Sequence, residues 1–303
     1  MSNSHFTSAL ALREKLLTPE TNAVRLLDGE GDGYPDLFLE SYAERLLLST
    51  RHDSLLTPAL KADLTDLAHQ SKGLYWKHLD QNQKNAPHHL AGPEINEPFS
   101  ILENGIRYRI DFAAGYSQGI FLDQRDNRRR VRELTKPGDT VLNTFAYTGA
   151  FSVCAALAGA TTTTLDLSQP YLEWSKENFH LNDLSPEDHY FCKGDTFHWL
   201  KRFAKQERTF NGIILDPPTF SRDKDGKVFS VEKNYGDLFA LALSCLAPGG
   251  WILSSTNCRK LDEETFRRQI TRHQQRGTIL EAAEMPSDFT GEAYLKALWL
   301  THR

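Results

Sequence analysis

TVLNTFAYTGAFSVCAALAGATTTTLDLS, residues 140–168, is the stretch on which the fold turns. Residues 140–145 read as a short apolar strand. Residues 149–158 read as a helix of small side chains that stops at Gly159. Residues 161–166 are β-branched up to Leu165 and Asp166 and read as a second strand. Strand, helix and strand in this spacing form the βαβ unit of a parallel sheet. Such a unit brings both strands' carboxyl ends to one edge.

The same grammar extends outward. Upstream, residues 123–135 predict a helix stopped by Pro137-Gly138. Downstream, residues 168–182 predict a helix with Ser168 as N-cap and Pro170 in its first turn. Strands are expected at 189–193, 211–215 and 251–256, and helices at 196–206, 231–246 and 263–274. Residues 278–284 and 293–301 predict a closing strand pair. The expectation for 113–303 is therefore α/β, a mostly parallel doubly wound sheet.

Residues 1–112 read differently. A helix at 6–17, strands at 23–27, 37–39, 44–50 and 74–77, and a helix at 57–69 predict a small α+β domain. A polar loop over 81–98 and a hairpin turning at Asn104-Gly105 complete it.

Composition narrows the class. The chain has 303 residues, 40% hydrophobic and 25% charged, enough for a packed core. No apolar run is long enough to span a bilayer and no signal peptide opens the chain, so a cytoplasmic protein without membrane contact is expected. Cys154, Cys192, Cys245 and Cys258 are scattered, which argues against a disulfide framework or a metal site. The net charge of -5 weighs against nucleic acid unless basic residues are segregated. The densest basic run is Arg125, Arg128, Arg129, Arg130 and Arg132. It reads either as the lining of an RNA-facing cleft or as a solvated helix face pairing with Asp123, Asp126 and Glu133.

Ligands of open parallel sheets bind beyond the strands' carboxyl ends. Asp166 stands where an acidic side chain grips ribose hydroxyls, or where a carboxylate starts a helix. Asp195 suits an adenine amino group, an N-cap, or both. The first loop holds Gly149 and no G-x-G-x-x-G, so it is poorly built for a pyrophosphate and NAD or FAD is disfavoured. S-adenosylmethionine carries no phosphate. In Asp216-Pro217-Pro218, two prolines stiffen the turn after a buried strand and suit it to holding a substrate beside a methyl donor. Phe220 and Tyr147 are candidates for stacking on a flipped base, or else core aromatics.

Residues 115–303 resemble the Rossmann-like (class I) S-adenosylmethionine-dependent methyltransferases of large-subunit (23S) ribosomal RNA. The matching residues are Gly119 through Arg125, Val141-Leu142-Asn143, Phe145, Tyr147-Thr148, Asp166-Leu167-Ser168, Tyr171-Leu172, Trp174, Asn178-Phe179, Leu181-Asn182 and Asp216 through Ser221. Val24-Arg25-Leu26 and Glu30 through Pro35 are similar to the small module that precedes the catalytic domain in this family. Many members also carry an RNA-binding PUA domain, which is not expected here.

The resemblance implies S-adenosylmethionine as cofactor, S-adenosylhomocysteine as product and no metal. It puts Phe121, Asp123, Gln124 and Arg125 over the methionine end, with Asn143 and Phe145 beside it. Tyr147, Gly149, Asp166, Leu167, Asp195 and Thr196 complete the expected cofactor set. Asp216, Pro217, Pro218 and Asn257 are the expected catalytic residues, and Thr219, Phe220 and Arg259 the substrate-binding ones. The implied partner is 23S ribosomal RNA or a large-subunit precursor particle, and a homodimer is left open.

The family divides by the atom methylated. Cytosine C5 needs a cysteine thiolate added at C6, whereas guanine N7 has a lone pair and needs no covalent help. Counted from Gly249-Gly250, the cysteine position holds Asn257, and Cys258 falls one place later. A one-residue shift on an extended chain reverses the side chain. Guanine N7 is the expectation. Cytosine C5 through Cys258, a small-molecule or protein substrate, and a non-catalytic RNA-binding protein are the alternatives.

Overall fold

The computed structural model describes residues 4–52, 55–79, 86–95, 97–115, 117–222, 228–274 and 277–302. The chain divides into two packed units, Met1–Arg125 with Pro286–Ala293, and Asp126–Met285 with Tyr294–Arg303. The sequence suggested a boundary after residue 112. The packing carries the first unit on to Arg125 and adds a short segment from far downstream, for a reason found in its ion pairs.

In the first unit, α1 (Ser4–Glu14) lies on a sheet of β1 (Ala23–Asp28), β2 (Leu37–Tyr42) and β3 (Arg45–Thr50). After α2 (Pro58–His69) come β4 (Leu74–His78) and β5 (His88–Ala91), and the strand order is 1-2-3-4-5. Only β3 and β4 are parallel, and α2 is the crossover that this pairing requires. The Thr57 hydroxyl caps α2 by accepting the Leu60 N–H at 3.3 Å, and Leu60, Leu64 and Ala68 are buried. β5 falls within the stretch read as a loop. His88-His89-Leu90-Ala91 has little strand propensity of its own and is held as an edge by pairing with β4. β6 (Phe99–Glu103) and β7 (Ile106–Ile110) form the expected hairpin, with Asn104 and Gly105 both left-handed at its turn.

The buried face of α1 carries Phe6, Ala9 and, at the next turns, Arg13, whose side chain is fully buried. A buried guanidinium requires partners. Arg13 makes two bonds of 2.7 Å to Asp32 and reaches the Thr290 hydroxyl at 2.8 Å and the Asp288 carbonyl at 3.1 Å. The Asp288 carboxylate, itself fully buried, accepts two bonds from Arg125, at 2.5 and 3.1 Å, and the Arg25 N–H at 2.9 Å. Asp28 accepts from the Gly291 N–H at 2.7 Å. A Cβ on Gly31 would lie 2.4 Å from the Thr290 backbone, so only glycine lets the segment pass there. This clasp is why 286–293 belongs to the first unit.

The second unit begins with α3 (Arg125–Leu134), β8 (Thr140–Thr144), α4 (Ala150–Leu157), β9 (Thr161–Asp166) and α5 (Gln169–His180). It continues with β10 (Tyr190–Lys193), α6 (Thr196–Lys205), β11 (Phe210–Leu215) and a hairpin of β12 (Phe220–Arg222) and β13 (Val228–Ser230). α7 (Val231–Leu243), β14 (Leu246–Thr256), α8 (Glu263–Thr271), β15 (Thr278–Ala283) and β16 (Lys296–His302) complete it. The sheet order is β10-β9-β8-β11-β14-β16-β15, with β16 antiparallel to both neighbours. This is the expected doubly wound α/β sheet, and its order reverses between β8 and β11.

Two details differ from the sequence reading. β14 begins at Leu246, not Trp251. Its register against β11 jumps from Phe210↔Leu246 to Gly212↔Trp251, so Pro248-Gly249-Gly250 is accommodated within the strand as an irregularity. The β12–β13 hairpin was not foreseen.

The threonine run of β9 is buried, and its hydroxyls and backbone find polar partners. Thr164 donates to the Ser152 hydroxyl at 2.8 Å, Arg208 donates to the Thr163 hydroxyl at 2.8 Å, and the Thr162 N–H donates to His189 Nδ1 at 3.1 Å. Burial lowers the pKa of His189 from its ordinary 6.5. The unfolded chain therefore takes up the proton first. Stability from this group is complete above about pH 6.5 and is lost as pH falls through the depressed folded value. Urea midpoints should decline between about pH 8 and about pH 5, and less so in His189→Gln. Equal declines in the two proteins would rule out this linkage.

Candidate active site

The carboxyl ends of β8, β9, β10, β11 and β14 lie along one edge of the second unit's sheet, on both sides of the reversal. The loop after β8 is held in an unusual shape. Phe145 and Tyr147 have φ of 52° and 50°, and Gly149 has 72°. Left-handed backbone at aromatic residues costs on the order of 1–3 kcal/mol each and concentrates at functional sites. Packing sustains it here: the Tyr147 ring meets Tyr171 edge-on at 4.5 Å, and Phe145 stacks on Phe229 at 6.1 Å.

Asp166 organises this loop. Its Oδ2 accepts the Tyr147 N–H and its Oδ1 the Ser168 N–H, both at 2.8 Å. Burial raises its pKa, and the backbone N–H groups around it pull the other way. Each carboxylate oxygen keeps a second lone pair. The helix-starting reading is what these bonds show, and the carboxylate keeps acceptors to spare. Next to it, Leu167 is 45% exposed, an apolar surface at the edge. Asp195 caps α6 through Oδ1, which accepts the His198 N–H at 2.8 Å, and its Oδ2 has no protein donor among the described residues.

After β11, Asp216 Oδ1 accepts the Ser255 hydroxyl at 2.7 Å. The Thr219 hydroxyl donates to Asn257 Oδ1 at 3.1 Å, joining the proline turn to the end of β14. Pro217 is buried and Pro218 exposed. Phe220 is 56% exposed, so it is not a core aromatic. Asn257 is exposed, whereas the Cys258 thiol is sealed in the hydrophobic core at 1% exposure. Arg259 lies over the Tyr294 ring at 4.9 Å.

Several expected site residues have roles in the scaffold. Asn143 is buried and donates to the Ser152 hydroxyl at 3.0 Å, because its strand position points it under α4. Thr196 is buried in the first turn of α6. Gly149 is where α5 comes close, since a Cβ there would lie 1.9 Å from Ser175 Oγ. In the first unit, Phe121 is exposed, Asp123 and Gln124 are buried, and Arg125 is committed to Asp288.

The basic run fits neither reading whole: Arg125 and Arg128 are buried, and the surface pairing that one reading expected is seen at Arg129. Arg129 lies 3.4 Å from Asp126 and 3.9 Å from Glu133, Arg130 pairs with Glu281, and Arg128 is buried near Phe151. Ser255, Tyr294 and Lys296 also stand at this edge and were not singled out from the sequence. Ser255 sat inside a predicted strand, and the other two lie at the start of the last one, where no motif marks them.

The described residues hold no His, Cys, Asp and Glu group able to bind a metal, and no helix long and apolar enough to cross a membrane. The profile of the S-adenosylmethionine-dependent methyltransferases matches residues 30–300. The chain belongs to this family. Among the methyltransferases it resembles, the Bacillus subtilis protein YwbD, provisionally named a ribosomal RNA large subunit methyltransferase, is 36% identical over 94% of this chain and 75% of its own. Ribosomal RNA large subunit methyltransferase I of Aeromonas salmonicida is 32% identical over 91% and 72%. The crystal structure of SMU.776, provisionally named a methyltransferase, in complex with SAH superposes with a TM-score of 0.90 at 32% identity, covering 98% of this chain and 80% of that one.

The enzyme's cofactor is S-adenosylmethionine, and the second unit's edge fits it chemically. The strained loop, the spare lone pairs of Asp166, the open Oδ2 of Asp195 and the apolar Leu167 offer acceptors and a face, but no phosphate cradle.

Proposed function

We propose that the chain methylates N7 of a guanine in large-subunit ribosomal RNA. The names of relatives that align over most of their length support the RNA. The atom is argued from the end of β14, where Asn257 faces outward and the Cys258 thiol lies in the core. A C5 enzyme needs a thiolate that reaches the base, and a thiol sealed among core side chains does not.

Bound at this edge, S-adenosylmethionine supplies a methyl group on a sulfonium that is already activated. The protein's own work is positioning and exclusion of water. Asp166 takes the ribose hydroxyls, Leu167 lies on the adenine face, and Asp195 Oδ2 accepts the adenine amino group. Phe220 stacks on the base, and the Thr219–Asn257 bond fixes the proline turn beneath it. Asp216, oriented by Ser255, accepts a hydrogen bond from the base. It removes no proton, because N7 has none.

Nucleoside mass analysis of ribosomal RNA from cells lacking the protein tests this reading. Loss of 7-methylguanosine is expected, and loss of 5-methylcytidine in its place overturns it. Cys258→Ala should keep most of its methyltransferase activity. A folded but inactive Cys258→Ala protein would restore the cytosine mechanism.

A further inference from the structure

Lys296 opens β16 opposite Thr256 of β14, and its ammonium reaches past the strand end. It donates to the Cys258 carbonyl at 3.2 Å and to the Tyr294 carbonyl at 3.1 Å. Among the described residues it forms no ion pair, although it is half-buried. Burial lowers its pKa; Arg259 adds to that, while Cys258, Asp262 and Glu263 pull it back up. Two neutral carbonyls are weak direct compensation for a partly desolvated ammonium, and Asp262 and Glu263 act on it without forming an ion pair, as Arg259 does in the opposite sense. Among the described residues the third ammonium proton has no acceptor.

The setting gives this charge a use. β16 is antiparallel, so its first residue stands at the same sheet edge as the carboxyl end of β14. Asn257, Arg259 on Tyr294, and Lys296 therefore follow one another beside the proline turn and the exposed Phe220. Aromatic faces next to cations are how single-stranded nucleic acid is held, rings for bases and cations for phosphates.

We propose that Lys296 and Arg259 bind the phosphodiesters that flank the target nucleotide, with Tyr294 as an aromatic surface for an adjoining base or sugar. They are positioning residues: they hold the RNA backbone so that one base reaches the Asp216-Pro217-Pro218 turn. This rests on the RNA substrate proposed above.

The test uses the full chain carrying Lys296→Met, Lys296→Arg or Arg259→Gln. Affinity for S-adenosylmethionine is measured by calorimetry, and affinity for a large-subunit ribosomal RNA transcript over a range of salt. Loss of one phosphate contact should lower the slope of log affinity against log salt by about 0.7–0.9. The KM for RNA should rise about tenfold in Lys296→Met, with kcat falling less and cofactor affinity unchanged. Lys296→Arg should recover most of the loss. A purely structural lysine would lower the melting temperature and leave the salt slope alone. If the wild-type protein binds RNA and both Lys296→Met and Arg259→Gln keep its slope and KM, this inference falls and the substrate stands. If the wild-type protein binds no RNA, both fall.

Discussion

Asp288→Ala should destabilise the protein by about 3–5 kcal/mol, because it strands a buried charge. Arg125 loses both of its bonds to the carboxylate, and the Arg25 N–H loses its acceptor. Water does not replace them, since the Asp288 side chain is fully buried. The cost arises mostly from the orphaned guanidinium, so a second substitution that removes it should recover part of the loss. Arg125→Met with Asp288→Ala is expected to be more stable than Asp288→Ala alone. Urea denaturation of the four proteins gives the coupling directly. A change below about 1 kcal/mol for Asp288→Ala would mean the clasp contributes no more than an exposed pair.

Asp166→Ala should weaken S-adenosylmethionine binding by roughly 10²–10⁴-fold. Two hydrogen bonds to a charged acceptor contribute about 1.5–3 kcal/mol each. The substitution also removes the acceptor of the Tyr147 and Ser168 N–H groups, so a loss of stability of about 1–3 kcal/mol is expected with it. The two effects are separable by titrating calorimetrically at a temperature well below the variant's own melting point. A folded variant that binds the cofactor as tightly as wild type would remove Asp166 from the site.

Much of the second unit was legible because its signals are local. Small residues between two apolar strands, glycine and proline stops, and acidic strand ends each read directly as βαβ grammar. Asp166 and Asp195 could be placed at the sheet edge because position along a parallel strand determines which edge a residue reaches. What the sequence did not state concerns facts that are not local. Whether Asn143 faces cofactor or Ser152 depends on how α4 packs, and nothing in Val141-Leu142-Asn143 states it. Arg125 sat in a motif, but its partner lies 163 residues away. β5 draws its order from β4, not from its own side chains. Lys296 carries no signal in sequence, because a lone lysine becomes notable only when its half-buried place at the end of β14 is seen.

The clasp around Asp288 also bears on how the protein is made. The N-terminal unit leaves the ribosome first, yet the carboxylate that neutralises Arg125 is encoded 163 residues later. At about 5–20 residues per second, that is a delay of roughly 8–30 seconds. During it, Arg13 and Arg125 lack their downstream partners, and the first-born unit waits until most of the second has been made. Cutting the gene once, after residue 125, would separate neither unit cleanly, because the piece that completes the first would travel with the second.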